Sequence, residues 1–250
     1  MAKGIAIKFK SYEETLPYLL RLIKIHEELI KHDRIILKPN LVYGNEEYST
    51  KIEFIEPILK FIVDNKSPNT EIFIAEGCDG HETTDILYEK GYFALAEKFG
   101  ISLIDLNNAD VEEITNNNFL GFESIKYPKI LMHGFVISLP LLKVHEETGI
   151  TGSLDNMIGA FPSRYYKGFF SKAKNKLNKY DKKYQIHDII QCRMPSCGII
   201  DASEKGYILA GQPFEIDKQA TKIFGLDWRN IAHLDLIAKT LSLDNPEIKQ

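Results

Sequence analysis

The chain has 250 residues, 44% of them hydrophobic and 26% charged, with a formal net charge of −4. That is enough apolar material for the core of one large α/β domain over residues 1–250, and the acidic balance argues against a nucleic-acid binder that uses its whole surface. Cys78, Cys192 and Cys197 are too few and too widely spaced for a disulfide framework or an iron–sulfur cluster of the chain's own, and they suit a reducing cytoplasm.

The first residues, MAKGIAIKFKSYEE, do not read as a signal peptide. No apolar run approaches the roughly 20 residues of a membrane span, so no membrane partner is expected. Residues 5–9 read as a strand. Ser11 and Glu14 form a capping box ahead of helical spacing that runs to residue 30. RIILK (34–38) is a second strand, and Thr50 with Glu53 makes a second capping box before the helix KIEFIEPILKFIVDN. EIFIAE (71–76) is a third strand, a helix over 86–100 stops at Gly100, and ISLIDL (101–106) is a fourth strand. Alternating strand and helix predicts a doubly wound fold, a mostly parallel sheet with helices on both faces and all strand C-terminal ends at one edge. Later come strands over 135–142, 197–201 and 207–210, then closing helices, the last capped by Asp227.

Residues 163–186 differ in composition. They hold eight Lys or Arg against the single acid Asp181, a local balance of +7. The expectation is a largely helical excursion or lid over the strand-end cleft. Its interleaved Tyr and Phe residues also suit single-stranded nucleic acid or a phosphorylated ligand, although an amphipathic helix with aromatics inward and lysines solvated is the more common cause of such a pattern.

Polar clusters follow three of the strands: Lys38-Pro39-Asn40, then Glu76-Gly77-Cys78-Asp79-Gly80-His81, then Lys143-Val144-His145-Glu146-Glu147. In an open parallel sheet these meet at the edge where ligands bind. The alternative is that they are ordinary solvated loops. GITGSLDNMIG (149–159) places glycines and Thr151 ahead of an expected helix, a turn whose N–H groups would suit an anion, or a plain cap. His187-Asp188 offers a base, a metal ligand or a structural pair. Cys78, in a tight turn after a strand, has the position but no evident partner of a nucleophile.

LKVHEETGITGSLDNMIGAFP resembles the central motif of the family catalogued as domain of unknown function 362. Lys143, His145, Thr151, Gly152, Asn156, Gly159, Lys167 and His187 fall into its series. KPNLV (38–42) matches an early strand-end motif, and AGQPFEIDKQATKIFG (210–225) a late one through Pro213 and Asp217. The chain departs from the pattern at Asp155, where a lysine is usual, at Gln212, where an acid is usual, and in a loop cut to Ala-Ser-Glu-Lys after GIID. A more distant likeness to the lactate racemase fold is carried by no motif residue.

The expected function is binding or transformation of a small anionic metabolite, a carboxylate or a phosphate. Lys38, Asn40, Asn156, Lys167 and the turn Thr151-Gly152-Ser153 would hold the anion, alongside Lys143. Lys143, His145 and His187 would be the catalytic groups. Glu76, Asp79 and His81, with the histidines as alternatives, would ligate a divalent metal. Many relatives of this family are similar to chains joined to ferredoxin-type segments. That implies, as the rival reading, an accessory module with a ferredoxin-type partner. A nucleic-acid role ranks third and rests on residues 163–186 alone.

Overall fold

The computed structural model describes residues 3–45 and 47–244. β1 (Gly4–Lys8) leads into α1 (Tyr12–Leu22), which is capped as expected by the Ser11 hydroxyl accepting the Glu14 N–H. The helix expected to run to residue 30 breaks at Lys24, whose φ of +57° lies in the left-handed region, and resumes as α2 (His26–Leu29). β2 (Arg34–Pro39) and α3 (Ile52–Asn65) follow. Thr50 does not cap α3. Its hydroxyl donates to the Leu139 carbonyl at 2.6 Å and accepts the Asn40 N–H at 2.8 Å, so the expected cap is a clasp between two strand ends. After β3 (Glu71–Glu76) the single helix expected over 86–100 is two, α4 (Thr83–Glu89) and α5 (Tyr92–Phe99), separated at Gly91. β4 (Ser102–Asp105) comes next.

β5 (Val111–Ile114) and β6 (Ile125–Pro128) form an antiparallel pair that the sequence reading did not anticipate. α6 (Lys129–Met132), β7 (Phe135–Leu139) and the small ribbon of β8 (Val144–His145) and β9 (Gly149–Ile150) follow. A 3-10 helix over Asp155–Ala160 stands where an α-helix was expected. The helix of the basic segment is broken into three short pieces, α7 (Ser163–Tyr166), a 3-10 turn over Asn175–Lys179 and the start of α8 (Lys182–Cys192), with irregular chain between. β10 (Cys197–Ala202) and β11 (Tyr207–Gly211) form a hairpin, then α9 (Pro213–Ile223) and α10 (Ala232–Asp244) close the fold. Asp227 caps the short turn over Trp228–Asn230, not α10 itself.

Seven strands form one sheet in the order β1-β11-β10-β7-β2-β3-β4. β10, β7, β2, β3 and β4 are mutually parallel, while β11 runs against both of its neighbours. β1 lies at the edge of the sheet opposite β4. The central strands alternate between two apolar layers, as a sheet buried on both faces requires. Ile35, Leu37, Ile72, Ile74, Phe135 and Ile137 pack with residues of α1, α3 and α5, while Ile36, Ala75 and Val136 pack with residues of α8, α10 and the 3-10 helix. α9 covers β10 and β11 through Ile216 and Ala220, which meet Ile200 and Leu209.

His187 and Asp188, on α8, sit inside this second layer and are fully buried. His187 Nδ1 lies 2.6 Å from Asp188 Oδ1, and Nε2 lies 2.8 Å from the Thr240 hydroxyl on α10. Asp188 in turn accepts the N–H groups of Leu120, Gly121 and Phe122. Burial alone would raise this carboxyl, but the His187 contact and those N–H groups hold it below its ordinary range. The pair therefore ties α8, α10 and the loop before β6 together. Asp188→Ala strands three backbone donors and is expected to cost about 3 kcal/mol in urea unfolding. A loss under about 1 kcal/mol would contradict the structural role.

Candidate functional site

The strand-end edge is organised by one buried ion pair. Lys38, the penultimate residue of β2, is fully buried, and its ammonium lies 2.9 Å and 3.1 Å from the two oxygens of Glu76 at the end of β3. Its third strong acceptor is Asn156 Oδ1 at 3.1 Å. Asn156 is fixed in turn, because its Nδ2 donates to the Lys38 carbonyl and to the Ser138 hydroxyl, and Ser138 is the β7 residue in register with Lys38. The Ser138 hydroxyl donates to the Ser153 carbonyl. The 3-10 helix is thereby pressed onto the sheet so closely that only glycine fits at position 159. A Cβ there would stand 2.4 Å from Glu76 Oε1 and 2.6 Å from the Lys38 ammonium.

Above this floor opens a cleft of about 830 Å³. Asn40, Tyr48, Asp79, His145, Asp155 and Lys174 bring polar groups to its wall. Lys174 comes from the basic segment. Its backbone N–H donates to Asp79, and its ammonium donates to the carbonyls of Gly77 at 2.7 Å and Gly159 at 3.1 Å. An ammonium has three N–H bonds, so one remains for a ligand. Burial pushes the Lys174 amine down to about 8, with Glu76 and Asp79 opposing that shift. Burial pushes the Asp155 carboxyl up to about 7, opposed by the N–H groups of Gly152 and Asn156. His145 Nδ1 accepts from the N–H groups of Glu147 and Thr148, so the neutral ring carries its proton on Nε2. The wall is mixed in charge rather than basic: Glu146 and Glu147 stand beside Lys182, whose ammonium lies 4.0 Å from Glu147.

The domain of unknown function DUF362 matches residues 35–220, about three quarters of the chain. The chain belongs to the DUF362 family. Thylakoid-associated protein sll1697 of Synechocystis is 22% identical over 78% of this chain. The apoprotein of lactate racemase from Thermoanaerobacterium thermosaccharolyticum has a similar fold, with a TM-score of 0.54 over 88% of the chain at 13% identity. The chain spans 61% of the length of the first and 56% of the second.

The expected site residues do not all reach the cleft. Asn40, Glu76, Asp79, His145, Thr151 and Asn156 line it, over the buried Lys38. Lys143 is turned away and pairs with Glu204 in the β10–β11 turn. Lys167 is exposed and absent from the wall, and His187 belongs to the clamp between helices. His81 stacks on Tyr43 outside the cleft, at a centroid distance of 3.7 Å. The expected metal set is therefore not assembled: Glu76 is spent on Lys38 and Asp79 receives the Lys174 N–H. Among the described residues no three His, Cys, Asp or Glu side chains are grouped to hold a metal ion. Cys78 reaches the wall, but burial pushes its thiol up to about 12, which leaves it protonated and a poor nucleophile at neutral pH.

The turn Thr151-Gly152-Ser153 is already satisfied from within the chain. Asp217 on α9 accepts the Ser153 N–H at 2.7 Å and the Leu154 N–H at 2.9 Å, Asp155 accepts the Gly152 N–H, and Thr151 N–H donates to the Lys143 carbonyl. The expected anion cradle is thus filled by a side chain, and the late-motif residue Asp217 is what fills it. Lys174 and Asp155 are the groups that sequence reasoning missed as site residues. Lys174 was one of eight similar basic residues, and Asp155 was noted only as a departure from the family pattern.

Two variants test the floor. Lys38→Met leaves the Glu76 charge buried without its partner and is expected to cost about 3–5 kcal/mol in urea unfolding, while K38M/E76L recovers a large part of that loss. A double variant no more stable than K38M would show that the two charges are not coupled.

A third test concerns pH. Burial pushes Asp217 up to about 8, against its two N–H donors, so the folded chain keeps a proton that the unfolded chain releases above its ordinary 3.8. The stabilisation is complete below the ordinary 3.8 and is lost progressively from there up to the folded values, about 7 for Asp155 and about 8 for Asp217, above which it falls no further. Asp217→Asn is expected to flatten the fall in unfolding free energy over that window. An unchanged slope would mean Asp217 is ionised throughout.

Proposed function

We propose that the strand-end cleft binds a small metabolite carrying a carboxylate or phosphate next to a hydroxyl or amine, and that it exchanges a proton with that ligand. The supporting observation is that Lys174 and Asp155 both line the cleft, with ionisations near 8 and 7. Groups displaced toward neutrality in a concave site suit proton transfer. The remaining N–H of Lys174 meets the anion, with Lys182 near the mouth. Protonated Asp155 donates to the ligand, and ionised Asp155 accepts from it. The Nε2–H of His145 supplies a further donor. No reaction step here is routed through a metal. Lactate racemase, by its name, acts on a small hydroxy acid of this class, and the similarity of fold makes hydroxy acids the first ligands to try.

A second reading keeps the ligand but drops the chemistry, making the chain a binding module that serves a redox partner. The Asp217 side chain filling the anion-type turn supports it, since backbone donors otherwise open to a reacting oxyanion are committed.

The test is calorimetric titration with 2-hydroxy acids, amino acids and phosphate esters. One class should bind, and Lys174→Met should weaken that binding at least about tenfold without changing thermal stability of the free protein by more than a few degrees. Binding of the anion should be strongest below pH 7, where Asp155 is neutral, and should fall through pH 8 as Lys174 loses its charge. Asp155→Asn should move the onset of that fall from about 7 toward about 8. Binding that ignores both substitutions would place the ligand elsewhere. Proton exchange between the bound ligand and deuterated water separates the catalytic reading from the binding module.

A further inference from the structure

Phe169 and Phe170 stand 95% and 97% exposed, whereas no other large hydrophobic among the described residues exceeds 74%. They are adjacent, and their rings touch edge to face at a centroid distance of 4.9 Å and an interplanar angle of 84°. The loop that carries them is anchored on both sides. Before it, the Tyr166 hydroxyl accepts the Lys126 N–H at 3.0 Å. After it, Lys174 is buried with its backbone N–H on Asp79. The stem is held while the tip places two apolar rings in water. In the flanking sequence Arg164, Lys167, Lys172, Lys176 and Lys179 are exposed, Lys172 pairing with Glu82 at 3.0 Å, in a stretch of balance +7 on a chain of −4.

We propose that this loop docks the protein onto an anionic lipid surface, with Phe169 and Phe170 entering the headgroup region and the surrounding Lys and Arg side chains meeting lipid phosphates. Two apolar side chains on an exposed loop, flanked in sequence by cations, satisfy both requirements of reversible surface attachment, apolar burial and attraction to negative charge. Single-stranded nucleic acid, which tracks a basic groove lined by stacking aromatics, fits this site less well, because both rings project from an exposed loop and the chain as a whole is acidic. Docking onto the same loop of a second copy is opposed by like charge. The expectation of no membrane partner rested on spanning segments, and a loop lying on a surface needs none. No helix among the described residues is long and apolar enough to cross a membrane.

The test is co-sedimentation of the full chain with vesicles of phosphatidylcholine alone or mixed with phosphatidylglycerol. Binding is expected only to the mixed vesicles, to weaken with added salt, and to fall at least about tenfold in F169S/F170S. K167E/K172E should also weaken it while leaving both rings in place. Circular dichroism confirms that each variant is folded, which the exposure of all four side chains favours. Binding no better than to phosphatidylcholine alone, or binding unaffected by F169S/F170S, overturns the proposal. So does a result in which that variant loses only affinity for a single-stranded oligonucleotide, or only concentration-dependent self-association, since either assigns the loop to another partner.

Discussion

The arrangement of the strand-end edge depends on a charge that the fold buries and must neutralise. Lys38 sits at the end of a central strand, flanked by β3 and β7, where an ammonium without partners would cost more than the site could bear. Glu76, Asn156 and the Pro39 carbonyl supply its acceptors, and each comes from a different piece of the chain or a different end of it. Meeting that demand draws β2, β3 and the 3-10 helix together and sets how near the helix approaches. The close contact of Gly159 with the pair, and of Gly77 with the Gly159 carbonyl, follows from it. The cleft is the space left above this floor.

The same logic recurs where the chain supplies its own acceptors. Asp217 occupies the N–H groups after Thr151, and Asp188 occupies those over 120–122. Each side chain supplies from inside the acceptor oxygens that a bound phosphate or carboxylate would supply from outside. The two differ in their surroundings. Asp188 has His187 against it and is held below its ordinary range, whereas Asp217 has the carboxyl of Asp155 nearby and is pushed upward, chiefly by burial. Asp188 is thus a permanent fixture. Asp217 and Asp155 lie on either side of one turn, and their protonation is felt at the wall of the cleft through Asp155.

Much of this was legible in the sequence, for physical reasons. Strands buried on both faces appear as short apolar runs, so RIILK, EIFIAE and FVISL were readable as strands from composition alone. Polar residues ending such runs, Lys38-Pro39-Asn40 and Glu76-Gly77, marked the edge where the ion pair forms. What could not be read depended on direction. Lys143 and His145 are two residues apart in an extended segment, yet His145 reaches the cleft and Lys143 pairs with Glu204, because the β10–β11 turn happens to lie within reach of it. His187 carried a motif position, but helix α8 turns it toward Thr240. The glycine turn had the composition of an anion site, and nothing local reveals that a residue more than sixty positions later fills it.

The basic segment illustrates how one stretch can serve two surfaces. Lys174 is drawn inward because the carbonyls of Gly77 and Gly159 converge where its amine can satisfy them, and that burial is what lowers its ionisation toward neutrality. Phe169 and Phe170, a few residues earlier, have no apolar surface to meet and remain in water. Between them lie Ser171, which accepts the Ala173 N–H, and Lys172, which pairs with Glu82. The aromatic tip and a polar group of the cleft wall thus belong to one short segment, and the hydrogen bonds that hold Lys174 inward also fix where that segment leaves the surface.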